Sequence, residues 1–369
     1  MTKLLNSFFN LEEHNTDVKT EVVAGFTTFM TMAYIIFVNP SIVSETGMPF
    51  QAVMIATAMS AAFATLCMAF LANYPFALAP GMGLNAYFTY TVVLGMGLSW
   101  QEALGAVFVS GVIFLILTLT KVRQTIINSM PLTLKSSVSA GIGLFIAFIG
   151  LQNADVVVNS DATLVTLGNL TDPSAILAIV GIIITGLLMA KDVKGSILIG
   201  ILLTTALGVP LGITEMPSGI IEIPSFSTWA PVVLKADISG ALNAGILTIV
   251  FAFLFVDLFD TAGTLVGVSH QAGFLDEDGN LPKADRALLA DSLGTIGGSM
   301  MGTPTVTTYV ESASGVAQGG RTGLTGVVIA LCFLASIFFS PIIGIVPPAA
   351  TAPALIIVGS IMLENVTEI

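Results

Sequence analysis

Charge is scarce in this sequence. Asp, Glu, Lys and Arg make up 9% of its 369 residues, where a soluble domain carries about 25%, and the mean hydropathy is +0.96. A water-soluble fold is excluded. Basic residues are the scarcer sign, 11 Lys and Arg against 23 Asp and Glu for a net charge of −12, so the basic face that nucleic acid requires is missing and no nucleic-acid partner is expected. Two cysteines, Cys67 and Cys332, lie in apolar runs and set no disulfide framework. The two histidines, His14 and His270, stand without ligand spacing around them, so neither a metal site nor a cofactor is expected. A membrane enzyme would need a nucleophile–base pair or metal cluster at one depth. The sequence offers none, which argues against catalysis. Residues 1–21 are polar and carry Asn, Glu and Lys, unlike a cleavable leader, so the first apolar run is expected to act as the insertion signal.

Apolar length is abundant. Runs of roughly 17–25 residues can cross a ~30 Å hydrocarbon layer, and they recur near 22–43, 52–72, 101–120, 136–152, 174–190, 194–210, 240–262, 287–302, 323–346 and 349–363. Two more stretches, 75–97 and 303–319, are long enough to cross but are broken by Gly, Pro and Thr. The expected fold class is an all-α polytopic membrane protein with the lipid bilayer as its solvent. Basic residues collect on the cytoplasmic side of such proteins. With twelve crossings and a cytoplasmic N-terminus, Lys3, Lys19, Lys121, Arg123, Lys135, Lys191, Lys194, Lys283, Arg286 and Arg321 all fall inside and Lys235 alone falls outside. Removing either broken stretch would put later loops on the wrong side, so both are expected to cross, in a multi-pass cell-membrane protein.

The broken stretches share a plan. Each opens with a short extended piece, "FALAPG" at 76–81 or "TVTTYV" at 305–310, followed by small and polar residues able to begin a half-helix. Backbone that leaves helical form at mid-membrane must be buried in protein or line a cavity, so the pocket is expected here. The stretches are spans 3 and 10. An odd offset of seven means that they enter from opposite sides, the mark of an inverted-topology repeat. The expected organisation is a cytoplasmic N-terminus (1–21), a first repeat of spans 1–7 (22–210), an extracytoplasmic interfacial element with three prolines and Trp229 (211–239), and a second repeat of spans 8–12 (240–369). Because a seven-span repeat predicts fourteen spans, the 7+7 plan reads as truncated after about twelve, with two more expected beyond "IMLENVTEI".

Ionisable residues within apolar spans usually face an aqueous cavity and work there. Three are singled out: Asp257 and Asp260 in "FVDLFDTAGT", and Glu311. Asp257 and Asp260 are three apart and share a helix face, with no basic residue at that depth, so a proton or another cation is the expected partner, for coupling or gating. The competing reading places Asp260 at the cytoplasmic end of span 8 as a cap. Glu311 falls at the first turn of a half-helix, where the dipole favours an anion. Asn85 in "PGMGLNAYF" holds the matching place in span 3 with a donor and an acceptor, and Gly81 and Gly83 allow close backbone approach. Thr27, Thr28, Thr31, Thr307 and Thr308 either line the pocket or bond back to their own helices. Phe76, Tyr87, Phe88 and Phe259 are candidates for stacking on a flat ligand.

The motifs "FMTMAYIIFVNP" (29–40), "ALAPGMGLNAYFTYTVV" (77–93), "FVDLFDTAGTL" (255–265) and "GTPTVTTYVESASGVAQGGRTGLT" (302–325) closely resemble the AzgA-like purine permeases, relatives of the nucleobase:cation symporter-2 proteins. The resemblance covers nearly the whole chain. It implies fourteen spans in two inverted repeats, a core and a gate domain, a short strand in each of spans 3 and 10, and proton-coupled uptake of a purine nucleobase by alternating access. Carried over by motif, the binding residues are Asn85, Asp257 and Glu311, with Asp260 affecting transport. Related folds suggest a homodimer. An anion transporter of the same fold is the alternative, though a pocket lined by carboxylates and no Arg would repel an anion.

Overall fold

In a computed structural model the described residues are 2–120, 132–242, 245–276 and 281–363. Most of them are helical. Helix α1 (Thr2–Phe9) leads to α2 (Val18–Met32), which Asp17 caps by accepting the Thr20 N–H at 2.8 Å. That bond holds the Asp17 carboxyl below the usual carboxylate range. At Ala33 and Tyr34, α2 gives way to α3 (Ile35–Val43), so the predicted first span is two helices rather than one. Pro40 lies inside α3 and has no N–H for the Ile36 carbonyl. Just before it the chain tightens, with Ile36 N–H bonding Ala33 O at 3.1 Å and Phe37 N–H bonding Tyr34 O at 3.0 Å.

Next come α4 (Phe50–Leu71), strand β1 (Leu78–Pro80) and α5 (Met82–Ala86), which widens into a π-helical segment, Tyr87–Gly95. Then follow α6 (Trp100–Leu119), started by a Ser99/Glu102 capping box, and α7 (Leu132–Asn153). A hairpin of β2 (Val157–Ser160) and β3 (Leu164–Leu167) leads to α8 (Pro173–Ala190) and α9 (Ser196–Gly208). Two short helices, α10 (Phe226–Trp229) and α11 (Ile238–Ala241), precede α12 (Leu247–Ala272) and α13 (Ala284–Met301). Strand β4 (Val306–Thr308), α14 (Ser312–Ala317), α15 (Gly323–Ser336), α16 (Ser340–Ile343) and α17 (Pro348–Leu363) complete the order. Among the described residues six helices are long and apolar enough to cross a membrane, α2 counted with α3 and α15 with α16, and 140–153, 196–208 and 348–363 are shorter apolar helices.

The extended pieces of the two broken spans meet. β1 pairs antiparallel with β4, Leu78 opposite Thr308, Ala79 opposite Thr307 and Pro80 opposite Val306. An antiparallel crossing is the relation that two oppositely inserted segments must adopt. Exposed strand edges are not tolerated in hydrocarbon, and side chains of neighbouring helices close these edges. Thr65 of α4 bonds both the N–H and the C=O of Leu78 at 3.0 Å, Thr295 of α13 donates to Val306 O at 3.0 Å, and Ser312 accepts the Ala77 N–H at 2.9 Å.

Helices α7, α8, α9 and α17 pack mainly on one another, while the remaining long elements gather around the strands. Gly143 of α7 and Gly359 of α17 make the first group tight. A Cβ at Gly359 would lie 2.5 Å from Gly143 O, and one at Gly143 would lie 2.7 Å from Gly359 O, so the two backbones are in contact. The segment after α9 laps over the ends of other helices. Trp229 Nε1–H donates to Met301 O at 2.9 Å, Leu234 N–H to Met300 O at 2.6 Å and Asp237 N–H to Gln101 O at 2.9 Å, while Ile220, Ile221 and Ile223 stay exposed.

Candidate functional site

A cavity of about 760 Å³ lies between the two helix groups. Its strand-side wall is built from Thr31, Tyr34, Gly81, Met82, Gly83, Asp260, Thr264, the run Thr307–Glu311 and Ser314. The facing wall comes from Ile142 and Ile146 of α7, the joint between α8 and α9 from Met189 to Ile197, and Val358, Ile361 and Met362 of α17.

Glu311 follows β4 at the N-cap position of α14, with helical backbone (φ −58°, ψ −17°), and its side chain makes no capping bond. Its partner comes from span 1: the Tyr34 hydroxyl donates to Glu311 Oε1 at 2.5 Å. Tyr34 reaches it because α2 runs alongside α14, presenting residues 21, 24, 28 and 31 at helical three- and four-residue spacing, and Tyr34 follows at the joint just beyond its end. Glu21, fully buried, accepts the N–H groups of Arg321 (2.8 Å), Thr322 (3.3 Å) and Thr325 (3.2 Å) and the Thr325 hydroxyl (2.6 Å). Gly315 lies so close that a Cβ there would be 2.1 Å from Thr28 Oγ1. Thr31 Oγ1 stands 2.9 Å from Ser314 Oγ.

Asp260 lines the cavity from within α12. The apolar run of span 8 ends near 262, where Asp260 would be an end cap, but α12 continues to Ala272, so Asp260 sits in mid-helix. Asp257 is fully buried one turn earlier and does not line the cavity. It belongs to a buried polar knot around Thr261, whose hydroxyl lies 3.4 Å from Asp257 Oδ1, 3.2 Å from each Asp291 carboxylate oxygen and 3.1 Å from Thr307 Oγ1. Asp291 of α13 thus joins the carboxylates on which the sequence reading settled, although it falls inside the predicted 287–302 span and met the same criterion. Glu21 was assigned to the cytoplasmic N-terminus, yet α2 begins before it and buries it.

Gly83 and Thr308 line the cavity. Thr308 Oγ1 is buried and has no hydrogen-bond partner among the described residues. Asn85, in the short helix after β1, is fully buried, with neither its amide nitrogen nor its oxygen partnered among the described residues. It stands behind the cavity wall formed by Gly81–Gly83. Thr27 bonds back to Val23 O at 2.9 Å and does not line the cavity. Phe76 packs with Tyr74 and Phe274, ring centroids 5.1 and 5.9 Å away, and Phe259 packs edge-on against Phe255 at 4.7 Å, so both aromatics lie away from the cavity. The structure therefore brings Glu311, Asp260, Gly83 and Thr308 to one wall, sets Asp257 and Asn85 behind it, and places Thr27, Phe76 and Phe259 elsewhere.

Residues 19–369 match the Permease family, Xan_ur_permease. The chain belongs to this family. Similar permeases include the putative permease MJ0326 of Methanocaldococcus jannaschii, 58% identical over 100% of this chain and 84% of that protein. The adenine permease AdeP of Escherichia coli (strain K12) is 45% identical over 99% of this chain and 82% of its own length. The guanine/hypoxanthine permease PbuG of Bacillus subtilis (strain 168) is 45% identical over 99% of this chain and 85% of its own. Among solved structures, the transmembrane domain of the cyanobacterium bicarbonate transporter BicA aligns with a TM-score of 0.72 at 15% identity, covering 94% of this chain and 88% of that one. At that identity the likeness shows the fold alone. The AzgA-like resemblance of the four motifs agrees with these relatives, and the permease is a transporter rather than an enzyme.

Proposed function

We propose that this permease imports purine nucleobases across the cell membrane, guanine or hypoxanthine foremost and adenine as a further substrate, together with a proton. The observation that carries the reading is the Glu311 carboxylate on the wall of a cavity whose volume falls in the ~300–1,000 Å³ range of small-molecule sites. Among the described residues Tyr34 donates to Oε1 and none donates to Oε2. A purine lactam edge, N1–H with the 2-amino group in guanine, supplies paired donors that a carboxylate accepts side by side. Thr308, with an unpartnered hydroxyl, stands on the same wall, and Asn85 is the binding candidate behind it. Asp257 and Asp260 carry or share the coupling proton.

With a cytoplasmic N-terminus, the joint between α8 and α9, which carries Lys191 and Lys194, lies inside. A cavity reaching that joint then opens to the cytoplasm, as in the release state of an alternating-access cycle. The helices around the strands act as the core and the group of α7, α8, α9 and α17 as the gate. The anion-carrying alternative has the BicA fold in its favour, but a wall bearing Asp260 and Glu311 opposes it.

The test is uptake of radiolabelled hypoxanthine, at two external pH values and with unlabelled guanine or adenine as competitor, by cells lacking their own purine permeases. Uptake is expected to rise at acid pH, to vanish in Glu311→Gln, and to lose its pH drive in Asp257→Asn. Uptake that ignores both substitutions would sink the assignment of roles.

A further inference from the structure

Tyr34 breaks the pattern of its surroundings. It is fully buried among apolar neighbours at the joint between α2 and α3 against the cavity, yet its hydroxyl has a charged-type partner, Glu311 Oε1 at 2.5 Å. An O–H···O⁻ bond of that length belongs to the short, charge-assisted class, about twice as strong as a neutral bond. We propose that Tyr34 is the positioning residue for Glu311, fixing the plane of the carboxylate so that its second oxygen is preset for the N–H edge of the incoming base.

The argument rests on what Glu311 lacks without Tyr34. A glutamate side chain has three rotatable bonds, and ordering it only when substrate arrives subtracts from affinity. Among the described residues Tyr34 is the hydroxyl donor that holds Glu311 in place. It is itself held: the joint between α2 and α3 sets its height, and Thr31–Ser314 together with Glu21 on the start of α15 keep α2 in register with α14. The phenol has one proton, and it is committed to Oε1. The pair therefore presents acceptors to the ligand, and the ligand must bring the donors.

The proposal deepens the nucleobase reading and rests on it, so the test has two arms. In the first, binding of tritiated guanine and hypoxanthine is measured on the purified, detergent-solubilised protein. Tyr34→Phe is expected to raise the dissociation constant roughly three- to tenfold, the cost of ordering one freed side chain on binding, in a protein that stays folded. An unchanged dissociation constant in a folded Tyr34→Phe protein overturns the proposal.

The second arm needs no ligand. The infrared carboxylate band that disappears in Glu311→Gln is expected to shift in Tyr34→Phe, and also when 3-fluorotyrosine is installed at position 34, a change that keeps the ring and hydroxyl and serves if the phenylalanine variant fails to fold. A band that moves in neither overturns the proposal. If the wild type binds neither base while the band shifts, the substrate reading has failed and the Tyr34–Glu311 pairing stands.

Discussion

Asp257, Asp260, Asp291 and Glu311 lie around β4 in a chain that spends few charges anywhere, and each differs in what it touches. Glu311 and Asp260 face the cavity, whereas Asp257 and Asp291 share the Thr261 hydroxyl behind it. One hydroxyl proton cannot serve two carboxylates at once, so on the proposed proton role of Asp257 the neighbouring Asp291 takes part in coupling. Replacing Asp291 by Asn is expected to cut pH-driven hypoxanthine accumulation at least tenfold while changing the dissociation constant for guanine less than threefold. Uptake and equilibrium binding on the same variant separate the two effects. The sequence made Glu311, Asp257 and Asp260 legible because a carboxylate in an apolar run has no cheap explanation. Asp291 met the same criterion, lying inside the expected 287–302 span, and its place beside Asp257 shows only once Thr261 brings the two helices together. Tyr34 was illegible for a different reason: aromatics are ordinary in apolar runs, and its partner lies 277 residues away.

Among the elements, the two short strands were readable, since Pro80 and the threonines of "TVTTYV" disfavour helix and invite extended backbone. The groups that make those strands tolerable in a membrane were not. Thr65 and Thr295 look like any threonine in a transmembrane helix, where the hydroxyl normally bonds back to its own backbone, and Thr65 instead bonds both polar groups of Leu78. Thr65→Val preserves the shape and strands that edge. Each buried group left unpaired costs about 1–3 kcal/mol, so the variant is expected to unfold several degrees lower in detergent than a Thr133→Val control, where the exposed Thr133 has no such duty. The β2–β3 hairpin carried its own signal, β-branched "VVV" and "LVTL" around the turn-forming "SDAT". With four residues to a strand, it is too short to stand out among runs of span length.

For the whole molecule, the arrangement of two helix groups around one cavity follows from contacts between distant segments, which is why the apolar runs were legible one by one and their grouping was not. The orientation read from the basic residues is open to direct test. With Cys67 and Cys332 replaced, a cysteine at Ser196, which lines the cavity, is expected to react with an impermeant thiol reagent only from the cytoplasmic side and to be shielded by hypoxanthine. A cysteine at exposed Ser218 is expected to react only from outside, with no shielding. Mass spectrometry of labelled, intact and permeabilised cells would read both, and the reverse pattern would invert the topology.

The pairing of β1 with β4 also sets a clock on synthesis. The Tyr309 hydroxyl bonds the Pro80 carbonyl across 229 residues of chain, which a ribosome adding about 5–20 residues per second needs roughly 11 to 46 seconds to deliver. Through that interval residues 78–80 have no strand to pair with, and hydrocarbon offers their backbone nothing in exchange. The stretch must therefore wait at the headgroup level or in the shelter of the insertion machinery until the later half emerges. An early segment of this permease is thus completed by one made much later.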